Sequence, residues 1–89
     1  ALQFGSGELI KLKARVSMQL AGYLAETWLS ADQTMTSKGD VVTLSATVQN
    51  TWQLHFWILS QGAKITVLQP KSLRESIRTA LTDAVANYA

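Results

Sequence analysis

The chain has 89 residues, 47% hydrophobic and 16% charged, with eight Lys and Arg set against six Asp and Glu. That length suits a single domain with one modest core, and a content of one proline and five glycines argues against a disordered or low-complexity segment. The absence of cysteine excludes disulfides, thiolate zinc sites and a cysteine nucleophile, and no apolar run approaches the ~18 residues of a membrane-spanning helix.

A net charge of +2 permits an anionic partner without demanding one. No signal-peptide pattern is visible, so a cytoplasmic protein is expected. The chain begins at Ala1 and reads as a piece of a longer protein.

Residues 1–9 hold Gly5, Ser6 and Gly7, show no periodicity and read as a linker or the tail of a preceding domain, with Phe4 as the one bulky anchor. The domain proper is expected over 10–89. Ile10 to Val16 alternates strictly, with Ile10, Leu12, Ala14 and Val16 on one face and Lys11, Lys13 and Arg15 on the other, which predicts a half-buried strand. Ser17 reads as an N-cap for a helix from Met18 to Leu29 that buries Leu20, Leu24, Thr27 and Trp28. Gly22 interrupts this helix and suggests a close approach of helix to sheet.

Gln33 to Thr36 is a short strand candidate, joined through a turn at Gly39 to a strand from Val41 to Gln49. In the latter, Val42, Leu44, Ala46 and Val48 alternate with Thr43, Ser45 and Thr47. Asn50 or Thr51 caps the next helix, Asn50 and Gln53 having the spacing of a variant capping box, and Gly62 ends it in the left-handed C′ position. Ile65 to Leu68 is a further strand, and Ser72 with Glu75 has capping-box spacing for a last helix. That helix carries Leu73, Ile77, Ala80, Leu81, Ala84, Val85 and Tyr88 on one stripe.

The order β-α-β-β-α-β-α is that of a ferredoxin-like βαββαβ sandwich with an additional C-terminal helix, an α+β fold. A different small α+β arrangement follows if Gln33–Thr36 is not a strand. In the ferredoxin-like arrangement the first strand is central, and the sheet face away from the helices collects Lys11, Lys13, Arg15 and Lys64 among Thr43, Ser45, Thr47 and Thr66, without a carboxylate. Two readings compete: a solvated face with snorkelling cations, or a surface for an anionic effector or nucleic acid. The face carries no aromatic platform for stacking bases, which argues against sequence-specific single-strand reading.

The helix from Thr51 to Gly62 has two apolar stripes. Trp52, Phe56 and Leu59 lie on one side, and Leu54, Trp57 and Ile58 lie nearly opposite. A surface helix of a small monomer needs only one, so the second is expected to meet another element of the chain or a second copy. The sole histidine, His55, lies at the edge of the Trp52/Phe56 stripe and reads as a packing or interface residue, since no other histidine or cysteine completes a metal site. The carboxylates are scattered, no nucleophile-elbow glycines surround a serine, and Gly5-Ser6-Gly7 lacks the remainder of a phosphate loop. No enzyme and no cofactor is expected.

From Thr51 onward the residues Leu54, Trp57, Ile58, Gly62, Val67, Leu68, Pro70, Ser72, Leu73, Arg74, Glu75, Ile77 and Tyr88 follow a family pattern. It runs as a leucine, a tryptophan–aliphatic pair, a glycine, a strand ending near proline, and S-L-R-E-x-I opening a helix that finishes in Tyr. In this the chain resembles the C-terminal extension (WCX) domain of bacterial WYL-domain transcriptional regulators. FGSGELIKLKARVS is similar to the passage from the WYL domain into that extension.

The resemblance implies a parent that binds DNA through an N-terminal helix-turn-helix, neither it nor the WYL domain lying in these residues. It also implies homodimerisation and signal transmission as the extension's tasks. On that reading Trp52, His55, Phe56 and Leu59 are the candidate protein interface, with Leu54, Trp57 and Ile58 facing the domain's own sheet. Lys11, Lys13, Arg15 and Lys64 are the candidate anion or nucleic-acid face of a sensing module, the alternative function. No membrane partner is implied.

Overall fold

The computed structural model describes residues 7–88. Four strands, β1 (Leu9–Val16), β2 (Thr34–Lys38), β3 (Val41–Gln49) and β4 (Ile65–Gln69), form one antiparallel sheet in the order β2-β3-β1-β4. Helix α1 (Met18–Glu26) joins β1 to β2, α2 (Trp52–Gln61) with a 3-10 turn at Gly62–Lys64 joins β3 to β4, and α3 (Lys71–Ala86) follows β4. β3 and β1 are the two inner strands and pair over the whole length of β1, each with one face buried as its alternation requires.

The inward residues of the sheet, Leu12, Ala14, Val16, Leu44, Ala46 and Val67, pack against Leu20 and Leu24 of α1, Ile58 of α2, and Leu73 and Ile77 of α3. Truncating a fully buried member such as Leu44 would cost about 2–5 kcal/mol, a large part of the stability of a domain this size.

The pairing begins earlier than Ile10. Leu9 already lies in β1, and backbone bonds from Gly7 N–H to Asn50 O (2.6 Å) and from Asn50 N–H to Glu8 O (2.8 Å) extend it. Phe4 lies outside the described residues. Between β2 and β3, Gly39 takes φ +62° and leads into Asp40, the pattern of a two-residue type II′ hairpin.

Several local expectations are corrected. α1 stops at Glu26, not Leu29, because the buried side chain of Gln33 takes over: its amide donates to Leu24 O (2.9 Å) and its oxygen accepts from Leu29 N–H (2.8 Å). Trp28 is therefore exposed, its indole N–H bonded to Ala25 O. Gly22 faces open space, so it marks no close helix–sheet approach.

Thr51, not Asn50, caps α2, its hydroxyl accepting from Leu54 N–H. Gly62 has the expected positive φ (+60°), but ψ of −126° sends the chain into the 3-10 turn and not into a left-handed helical cap. The Ser72–Glu75 capping box does not form. α3 begins directly after Pro70, whose carbonyl accepts from Arg74 N–H, which places Ser72 inside the first turn.

Candidate functional surfaces

Of the two stripes on α2, one is buried as expected. Ile58 is fully inside, and Leu54 and Trp57 are half-buried against the core. Opposite them, Trp52 and Phe56 are 58% and 68% exposed and form an edge-to-face pair with ring centroids 6.4 Å apart at 77°. An exposed i, i+4 aromatic pair of this geometry adds only about 0.2–0.5 kcal/mol to its helix, and it leaves both rings facing water.

Leu59 does not complete it; it is half-buried and packs against the core. Of the two readings of His55, packing or interface, the structure supports packing. At 3% exposure it is turned inward, and its Nε2–H donates to Asn50 Oδ1 at 2.7 Å. Burial lowers its pKa below the ordinary histidine value, favouring the neutral ring. Its place is under the start of α2, where it fixes the strand-to-helix junction.

The outer sheet face is ordered by the register. Lys11, Lys13 and Arg15 of β1 stand opposite Thr47, Ser45 and Thr43 of β3. On the far side of β3, Thr34 pairs with Ser45 and Thr36 with Thr43. Beyond β1, Lys13 pairs with Gln69 and Arg15 with Thr66. Each cation thus stands in a row of hydroxyls and amides, and a shallow crevice of about 380 Å³ runs across Lys13, Ser45, Thr34 and Gln69. Among the described residues, none of the three cations is in an ion pair. None of the outward strand positions is aromatic, as the sequence indicated.

Lys64 does not join this face. The turn set up by Gly62 places it beside Gln19, Tyr23 and Trp57, in a crevice on the helical side, with its carbonyl accepting from Ser17 N–H.

A carboxylate also reaches the face, contrary to expectation. Asp32, just before β2, accepts from Ser30 Oγ–H (2.5 Å), Thr47 N–H (2.9 Å) and Thr47 Oγ1–H (2.6 Å). These bonds, led by that from Ser30, hold its carboxyl well below the usual aspartate range. Its charge lies at the Thr47 corner, opposite Lys11 in the register, and leaves the Lys13 and Arg15 rows purely cationic. Sequence reasoning missed Asp32; the available signal was Ser30-x-Asp32 directly before the strand, a local hydroxyl–carboxylate turn.

Among the described residues no three of His, Cys, Asp and Glu come together as a metal site, and no helix is long and apolar enough to cross a membrane.

The order β2-β3-β1-β4, with two crossover helices and a third following the last strand, defines a split βαββαβ domain of ferredoxin-like type. Over residues 8–85 the chain matches the family model of the WCX domain, and it belongs to that family. No curated protein is matched by the sequence.

Proposed function

We propose that this WCX domain is a non-catalytic dimerisation and regulatory module of a WYL-family helix-turn-helix transcriptional regulator, with Trp52 and Phe56 of α2 as the centre of its protein contact. The observation that carries the reading is their exposed edge-to-face pair on a helix whose other face is already buried. Two aromatic side chains of this exposure leave on the order of 200 Å² of apolar surface in water per copy. At ~25 cal/mol/Å² that is about 5 kcal/mol per copy, comparable to the lower range of the association cost. The pair alone therefore supports weak, concentration-dependent association, which a longer parent reinforces by linking further contacts. In a dilution series followed by NMR, the signals of Trp52 and Phe56 should move with protein concentration while those of Lys13 and Arg15 stay fixed. Shifts confined to other surfaces would speak against this contact.

A second reading rests on a separate observation, the unpaired cation rows at Lys13 and Arg15 flanked by hydroxyls. It makes the sheet face a sensor for an anionic effector or nucleic-acid backbone. Such binding weakens steeply with salt, and Lys13→Ala or Arg15→Ala should weaken it further. Titration with oligonucleotides and small nucleotides at low salt that shows no binding would remove this reading.

A further inference from the structure

The apolar stripe of α3 does not end where the sheet does. Leu73 and Ile77 are buried, but Leu81 is 42% and Val85 67% exposed, with no element of the described residues above them. β4, beside them, is an edge strand of the sheet, and among the described residues it pairs with β1 alone. No other backbone hydrogen bond reaches its residues from the outer side among the described residues. Between the two lies a groove of about 450 Å³, floored by Ile65, Thr66 and Val67 and walled by one face of α3 from Arg74 through Ile77 and Leu81 to Val85.

The two walls match in length. Arg74 to Val85 spans about 16 Å at ~1.5 Å per residue, the reach of about five residues of extended chain at ~3.3 Å each. The groove takes Ile65 to Val67 of β4 and the depression beyond it takes Leu68 and Gln69, together the five residues of the strand. The groove is also polarised. At the end of β4 it passes into a second depression lined by Gln69, Pro70, Lys71, Arg74 and Lys11, and among the described residues no carboxylate lines either part. Among the described residues the ion pair along this wall is Arg78 with Glu75, at 3.6 Å.

We infer that this groove takes an extended peptide segment of a partner, added to β4 as a fifth strand, with acidic residues toward Lys71 and Arg74 and an apolar side chain against Leu81 and Val85. An unpaired edge supplies the main-chain hydrogen bonds, and the helix wall supplies side-chain selection. The basic end with no carboxylate lining it specifies the charge of the occupant. This surface is separate from the Trp52/Phe56 patch and does not depend on it.

The test uses the 89-residue chain and a library of twelve-residue peptides. Each peptide carries acidic residues at one end and Val, Ile or Phe alternating with Thr along the rest, beside scrambled and lysine-substituted controls. The expected result is selection of acidic, alternating members whose binding shifts the amide signals of Ile65 to Gln69. Arg74→Glu and Leu81→Asp, both solvent-facing substitutions, should each weaken that binding tenfold or more, whereas Trp52→Ala should leave it unchanged. Three outcomes would overturn the inference: no selection over the controls, binding without movement of the β4 amides, or self-association of the chain abolished by Leu81→Asp, which would make the occupant a second copy.

Discussion

The ring Nε2–H of His55 donates to the side-chain oxygen of Asn50 across 2.7 Å, and both residues are buried. Asn50 also exchanges backbone bonds with Gly7 and Glu8, so this one position ties the start of β1, the end of β3 and the first turn of α2 together. Removing the acceptor with Asn50→Ala should cost about 1–3 kcal/mol in urea unfolding. Burial lowers the pKa of His55 in the folded chain, so between that value and ~6.5 the unfolded chain holds more protons. Stability should therefore be full above about pH 6.5 and fall as pH drops below it, by up to ~1.4 kcal/mol per pH unit. Urea midpoints at pH 8, 6.5 and 5.5 check this, and His55→Gln should show a shallower decline. An unchanged slope would separate the histidine from the acid response.

Gly22 lies in the middle of α1 with open space where a Cβ would be. Gly22→Ala should therefore stabilise the domain, by about 0.5–1 kcal/mol, through helix propensity and a less flexible unfolded chain. Thermal unfolding with a raised midpoint is the expected readout.

Asp32 is held ionised by Ser30 and by both donors of Thr47. Its contribution is present above the ordinary aspartate pKa of about 4 and is lost as pH falls from there through the lower folded value. Asp32→Asn should flatten the stability curve below about pH 4 and leave its shape near neutrality unchanged. A carboxyl titration by NMR should place Asp32 well below the usual aspartate range.

Gln33 closes the open end of α1 from nine residues away, satisfying Leu24 O and Leu29 N–H at once. Gln33→Ala leaves both groups short of a partner in a buried position, and a loss of about 1–3 kcal/mol is expected. In amide hydrogen exchange the loss should be greatest across residues 24–29.

Much of this fold was legible because period-2 alternation in β1 and β3 leaves each side chain one face to occupy, and a slip of one residue would expose Leu12 and Leu44. The same reasoning divided α2 into inside and outside, and the structure agrees at Ile58 and at Trp52 and Phe56. What escaped it needed particular side-chain partners, some near and some far in sequence, that periodicity does not name. Gln33 ends α1 by reaching Leu24, His55 turns inward because Asn50 sits beneath it, and Asp32 reaches Thr47 fifteen residues on. Lys64 left the basic face because the ψ of Gly62 breaks the strand's phase before Ile65. Along α3, periodicity named the stripe from Leu73 to Val85 but not its end: the helix stops at Ala86, and Tyr88 lies beyond it and exposed. Within the stripe, Leu81 and Val85 extend past the buried Leu73 and Ile77.

The proposed contact surface of the domain is the exposed pair Trp52 and Phe56. Sedimentation equilibrium on the wild-type chain and on Trp52→Ala and Phe56→Ala tests it most directly, because both side chains are exposed and their truncation leaves the core intact. The expected result is reversible wild-type self-association that either substitution weakens, with circular dichroism and unfolding midpoint unchanged. A wild-type monomer at high concentration, or a dimer indifferent to both substitutions, would contradict it.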